Sequence, residues 1–209
     1  MLKLTDITIQ LHETCLFKNF NASIPTGEVL SIMGPSGCGK STLLDFLSGS
    51  IADTFKTSGQ INLNNKELSH LPIEKRHVGI LYQESLLFPH LSNLENLMFA
   101  IPETIKGKQR AELALEKLSE FNLADKAHTL PAYLSGGQKA RISLLRTLLS
   151  EPKYLLLDEP FGKLDKALRQ EVREFVIAQI ETIKLPTILV THDQDDADAM
   201  GGTLVQLTR

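Results

Sequence analysis

Eight consecutive residues, Gly34, Pro35, Ser36, Gly37, Cys38, Gly39, Lys40 and Ser41, fit the spacing G-x-x-x-x-G-K-[ST], with Thr42 next, between an apolar run (29–33) and a helical stretch (40–47). Three glycines inside such a turn let backbone N–H groups converge on phosphate oxygens without obstruction. Lys40 adds a point charge toward the β and γ phosphates, and the Ser41 hydroxyl is placed for Mg²⁺. A plain strand-to-helix turn would need neither the lysine nor this spacing. Cys38 reads as a residue the loop tolerates, with a reactive thiol as the rival reading. A second candidate is Tyr154-Leu155-Leu156-Leu157-Asp158-Glu159-Pro160, an apolar run ending in two carboxylates. At a strand end Asp158 suits a metal ion, and Glu159 suits the polarising of a water. Gln83 and His192 each follow another apolar run and can reach the same crevice, Gln83 toward metal and water and His192 toward a γ-phosphate. Finally, Leu134-Ser135-Gly136-Gly137-Gln138 opens an amphipathic helix, whose N-terminal N–H groups form a second anion cradle far from the first.

Those residues need elements to hold them. Ile7, Ile9 and Leu11 alternate with polar residues, residues 29–33 and 78–82 are compact apolar runs, and SGQINLN alternates again, so the first third reads as strands. Ser92 and Glu95 make an S-x-x-E start signal for a helix through Met98, and Ala111, Ala114, Leu115 and Leu118 recur at helical spacing within 109–121. Residues 84–150 therefore read as a helical insertion without a strand. Residues 154–157, a helix face of Leu168, Val172, Phe175, Val176, Ile180 and Ile183 ended by Pro186, then 187–190 and 203–207, resume the alternation of strand and helix. Apolar runs lacking alternation suit strands covered on both faces, so the expected fold class is α/β, a mainly parallel sheet flanked by helices.

The bulk numbers narrow the function. With 209 residues, 42% of them hydrophobic, the chain can bury one substantial core carrying a subdomain. Lys plus Arg number 22 against 25 Asp plus Glu, a net charge of −3 and a pI near 6.1, so no basic field exists to hold a nucleic acid backbone. No apolar run approaches a membrane span, and the first residues lack the core of a signal peptide. Two cysteines, Cys15 and Cys38, supply no disulfide framework and fit a reducing compartment. A soluble, intracellular protein is expected.

The order GPSGCGKST, Gln83, LSGGQ, YLLLDEP, FGKLD (161–165) and His192 resembles the ATP-binding cassette (ABC) ATPase family across essentially the whole chain. More narrowly, MLKLTDIT, LLFPHLS and LLLDEPF resemble compact importer-type cassettes of the thiamine-importer kind. The resemblance implies a P-loop NTPase core (1–83 and 151–209) with an N-terminal antiparallel β portion and an inserted helical subdomain (84–150). It implies ATP and Mg²⁺ as cofactors, with Ser41, Gln83 and Asp158 around the metal. A head-to-tail dimer with a second copy or a paralogous cassette is also implied: one chain gives each site its P-loop, Gln83, Asp158, Glu159 and His192, and the other gives Leu134 to Gln138. Hydrolysis would follow in-line attack of a water positioned by Glu159 and His192, with Lys40 stabilising charge. Transmembrane permease subunits are implied partners, placing the chain in the cytoplasm against the inner face of the membrane. In ESLLFPHLS (84–92), Leu86, Leu87 and Phe88 either form an exposed patch for such a partner or pack the insertion's own core.

The sequence departs from the family's pattern in two places. Where the family carries an aromatic side chain that stacks on adenine, this chain has Leu11 with His12 beside it. Gly162 stands where Ser is common, which weakens an expected hydrogen bond across the dimer, while Asp165 is retained. The chain stops soon after its last strand candidate, so no C-terminal regulatory domain is expected. Export-type cassettes share this machinery and are a rival reading. A soluble, non-transport ABC ATPase is another, though its usual second cassette or long coiled insertion is not seen.

Overall fold

The computed structural model describes residues 1–207; Thr208 and Arg209, at the end of the expected core, lie outside the described residues. Strands β1 (Leu2–Leu11), β2 (Thr14–Ile24) and β3 (Val29–Met33) lead into helix α1 (Lys40–Ser48). Then follow β4 (Phe55–Leu63), β5 (Lys66–Glu67), α2 (Ile73–Arg76) and β6 (Val78–Tyr82). The helical interval holds α3 (Asn93–Ala100), α4 (Gly107–Glu120) and α5 (Gly136–Leu149). Beyond it come β7 (Tyr154–Asp158), α6 (Lys166–Ile183), β8 (Thr187–Thr191), α7 (Gln194–Met200) and β9 (Thr203–Gln206).

Five parallel strands form one sheet in the order β6-β7-β8-β3-β9. Every residue of β3 and β8 is buried, which is why these strands read as continuous apolar runs. The N-terminal portion is a separate antiparallel sheet, β2-β1-β4-β5, and β1 alternates because one of its faces meets the core. Its register shifts near Asp6, where the chain turns to φ 51°; there Gly59 (φ 106°) faces β1 so closely that a Cβ would lie 2.7 Å from Ile7 Cα.

The insertion has its own apolar centre, with Leu94, Leu97, Ala114, Leu118, Ile142 and Leu145 buried together. Its first helix starts where the sequence signals: Ser92 and Glu95 form a reciprocal capping box. Against the core it leans on α6, the Phe121 and Phe175 rings meeting edge to face at 4.9 Å with the Arg141 guanidinium over Phe175. Four of these elements carry no clear sequence signal. Strand β2 is mostly exposed with irregular alternation, β5 and α2 are too short for periodicity, and α7 carries three aspartates in seven residues. No helix among the described residues is long and apolar enough to cross a membrane.

Candidate functional site

Residues 34–39 link the end of β3 to the first turn of α1, so the parallel sheet itself aims the glycine loop at its carboxyl edge. Gly37 and Gly39 take φ 79° and 96°, values that favour glycine, and Gly39 is the residue that precedes α1. Lys40, a residue only 6% exposed, donates from its ammonium to the carbonyl oxygens of Gly34 (2.8 Å) and Pro35 (3.1 Å), which folds the side chain over the loop. Ser36, Ser41, Thr42, Gln83, Asp158 and Glu159 line the same pocket, about 480 Å³ in volume.

The two carboxylates end β7 as expected, but in unlike settings. Burial pushes the Asp158 carboxyl above the usual carboxylate range, partly opposed by the Ser41 hydroxyl, which lies 3.4 Å from Asp158 Oδ1. Two oxygen donors this close suit Mg²⁺, which takes few ligands from protein and the rest from phosphates and waters. Among the described residues, no cluster of three His, Cys, Asp or Glu side chains could hold a metal without such help. Glu159 sits at φ 46°, an uncommon conformation for a non-glycine residue. Its amide donates to the Val190 carbonyl at 2.9 Å, and its carbonyl accepts from Gly162 at 3.1 Å. That turn carries Glu159 Oε1 to 3.1 Å from Nδ1 of His192, just past the end of β8.

Gln83 follows β6 and packs against Gly162, where a Cβ would come within 2.6 Å of Gln83 Nε2. Gly162 therefore leaves room for the glutamine amide. Asp165 is engaged within its own chain, capping α6 by accepting from the Leu168 N–H at 3.1 Å.

Leu134, Ser135, Gly136, Gly137 and Gln138 do begin a helix, α5, with Ser135 and Gln138 in a capping box. Leu134 is buried in the insertion's core, and Gly137 is buried as well: a Cβ there would meet Leu168 Cδ1 at 2.4 Å. One glycine thus allows α5 to approach α6, while Gly136 and Ser135 face outward. None of the five lines the P-loop pocket.

The expected apolar patch divides. Leu87 is only 9% exposed and packs with Leu94 and Leu97, so it belongs to the insertion's core and not to a surface. Leu86 is exposed, and Phe88 stacks edge-on to Phe99 at 4.9 Å, with Phe99 itself 68% exposed. The Arg146 guanidinium lies over the Phe88 ring and donates to the Leu86 carbonyl at 2.9 Å. His12 also departs from expectation: it sits exposed in the β1–β2 turn and does not line the pocket, whereas Leu11 does. Leu16 and Phe55 line it too and were missed, having no motif to mark them.

A parallel sheet with a glycine loop, lysine, serine and strand-end carboxylates at one edge defines a P-loop nucleotide hydrolase. The family description "ABC transporter" matches residues 17–162. Over 98% of this chain and 94% of its own length, an uncharacterized ABC transporter ATP-binding protein, YnjD of Escherichia coli, is 42% identical. The spermidine/putrescine import ATP-binding protein PotA of Pasteurella multocida is 36% identical over all of this chain and 56% of its own. The Fe(3+) ions import ATP-binding protein FbpC of Brucella abortus is 38% identical over 90% and 52%. The chain thus spans nearly all of the first relative and about half of the other two. A dimeric structure of a post-hydrolysis state of the ATP-binding cassette MJ0796, bound to ADP and Pi, aligns with TM-score 0.79 and 31% identity, covering 99% of this chain and 94% of that one. The chain belongs to the ABC transporter family, as an ATP-binding and ATP-hydrolysing cassette.

Proposed function

We propose that this cassette energises an importer from the cytoplasmic face of the membrane, by ATP-driven closure of a head-to-tail pair. The observation that carries the reading is the Glu159–His192 contact of 3.1 Å at the rim of a pocket formed by the P-loop, Gln83 and Asp158. The loop's amides and Lys40 suit the β and γ phosphates of ATP and stabilise charge on the transferring phosphoryl group. Ser41, Asp158 and Gln83 are the residues that would hold Mg²⁺, which when bound supplies positive charge to the phosphate oxygens. Glu159 orients the attacking water and takes its proton as the γ phosphorus–oxygen bond to ADP breaks, and His192 holds Glu159 in place. Leu134 to Gln138 do not reach their own chain's pocket, which supports their acting on the partner's nucleotide with the α5 N-terminus facing a phosphate. The relatives named for spermidine/putrescine and Fe(3+) import support the import direction. Leu86, Phe88 and Phe99 offer the apolar surface for a permease subunit's cytoplasmic helix.

The test is a Glu159→Gln variant. Turnover is expected to fall at least about 100-fold, while ATP-dependent dimerisation, followed by size-exclusion chromatography, persists. Wild-type phosphate release from this variant would remove Glu159 from the mechanism.

A further inference from the structure

The P-loop pocket has two chemically unlike ends. One is the loop itself, with its amides, Lys40 and Ser41; the other is made by Leu11, Leu16 and Phe55. Leu16 lies directly over the loop, since a Cβ on Gly39 would come within 3.1 Å of Leu16 Cβ. Phe55 opens β4 and is paired across the antiparallel ladder with Leu11, the last residue of β1. Directly opposed residues of an antiparallel pair project to the same face with their Cβ atoms about 5 Å apart, so the phenyl ring and Leu11 present one continuous surface. Phe55 is the one aromatic side chain among the described residues lining the pocket. It is half-buried, packed on the core on one side and open to the pocket on the other.

We infer that Phe55 is the nucleobase platform of this cassette, with Leu11 and Leu16 as its apolar flanks. The inference rests on the reading that the P-loop pocket takes ATP: once a triphosphate lies along the loop, the base falls at the pocket's other end. That end presents three apolar side chains, which suit the face of a purine. A phenyl ring adds stacking that leucine cannot, and stacking depends on the π-face of the base more than on its edge. Phe55 therefore sets affinity for the base of the nucleotide, supplied from β4 rather than from the end of β1.

The test compares ADP with pyrophosphate, which has phosphates but no base, by titration calorimetry on wild type, Phe55→Leu and Lys40→Ala. Leucine keeps the apolar packing of residue 55 and removes only the aromatic face. Phe55→Leu is expected to weaken ADP about tenfold and leave pyrophosphate unchanged. A Phe55→Trp variant would carry the chain's single tryptophan, since the sequence has none; its fluorescence should change with ADP and not with pyrophosphate. ADP affinity within twofold of wild type in Phe55→Leu, or equal weakening of both ligands, would overturn the platform. The Lys40→Ala arm separates the two readings. If it loses both ligands while Phe55→Leu keeps ADP, the platform alone fails; if it binds both as wild type does, the pocket's assignment to ATP fails too.

Discussion

At Gly137 the helix pair α5 and α6 leaves no room for a methyl group, with Leu168 Cδ1 at 2.4 Å from a built Cβ. Gly137→Ala is expected to cost about 1–3 kcal/mol in urea unfolding, and adding Leu168→Ala to the same chain should recover part of that loss. Asp45, on α1, behaves differently. Burial raises its carboxyl above the ordinary range against a weaker opposing bond from Ser50. A carboxyl whose folded value lies above its unfolded one costs stability when ionised, and the cost disappears as pH falls through the folded value. Asp45→Asn should therefore melt higher than wild type at pH 7.5, with the gap closing on acidification, as followed by thermal denaturation. The polar residues of the pocket were legible because motifs fix their spacing: Lys40, Ser41, Gln83, Asp158 and Glu159 line it, and His192, which does not, touches Glu159. Phe55 and Leu16 were not, because their role depends on which strand pairs with β1 and in what register. Leu86, Leu87 and Phe88 stayed open between surface and core for a related reason: an apolar triplet does not say which member turns inward, and here it is Leu87.

Helices were legible in proportion to their caps and periodicity. Ser92 with Glu95, and Ser135 with Gln138, mark the starts of α3 and α5 correctly. Helix α7 was invisible because its acidic residues look like a solvated run. One of them, Asp196, is instead buried, accepting from Arg169 Nε at 3.0 Å and from Arg173 Nη1 at 3.2 Å, both on α6. Arg169 also meets Asp193, the residue after His192, at 2.9 Å. This cluster fastens the turn carrying His192 to α6, the helix that Asp165 caps. Asp196→Ala would take the carboxylate from Arg173 and leave Arg169 with Asp193 alone, an expected loss of about 1–3 kcal/mol measurable by denaturant unfolding. Asp198→Ala on the exposed face of the same helix should change stability by less than about 0.5 kcal/mol.

For the whole molecule, the parallel sheet was legible from its uninterrupted apolar strands, and the insertion from its lack of them. The antiparallel sheet's full extent was not, since β2 hides its alternation behind bulges. The proposed pairing of two copies makes a specific prediction through Cys38 in the P-loop. In a Cys15→Ser background, Ser135→Cys should form a disulfide-linked dimer under mild oxidation with ATP, and the band should vanish when Cys38→Ser is added; an unchanged monomer on non-reducing gels would argue against the pairing. The order of strands in the main sheet bears also on time. Strand β3, which feeds the P-loop, is flanked by β8 and β9, near the other end of the chain. During synthesis the antiparallel sheet and the helical insertion have all their residues first, whereas β3 must wait for neighbours that emerge after them. A nascent chain thus carries helix α5 complete before the strands that flank β3, and so fix the P-loop, have been made.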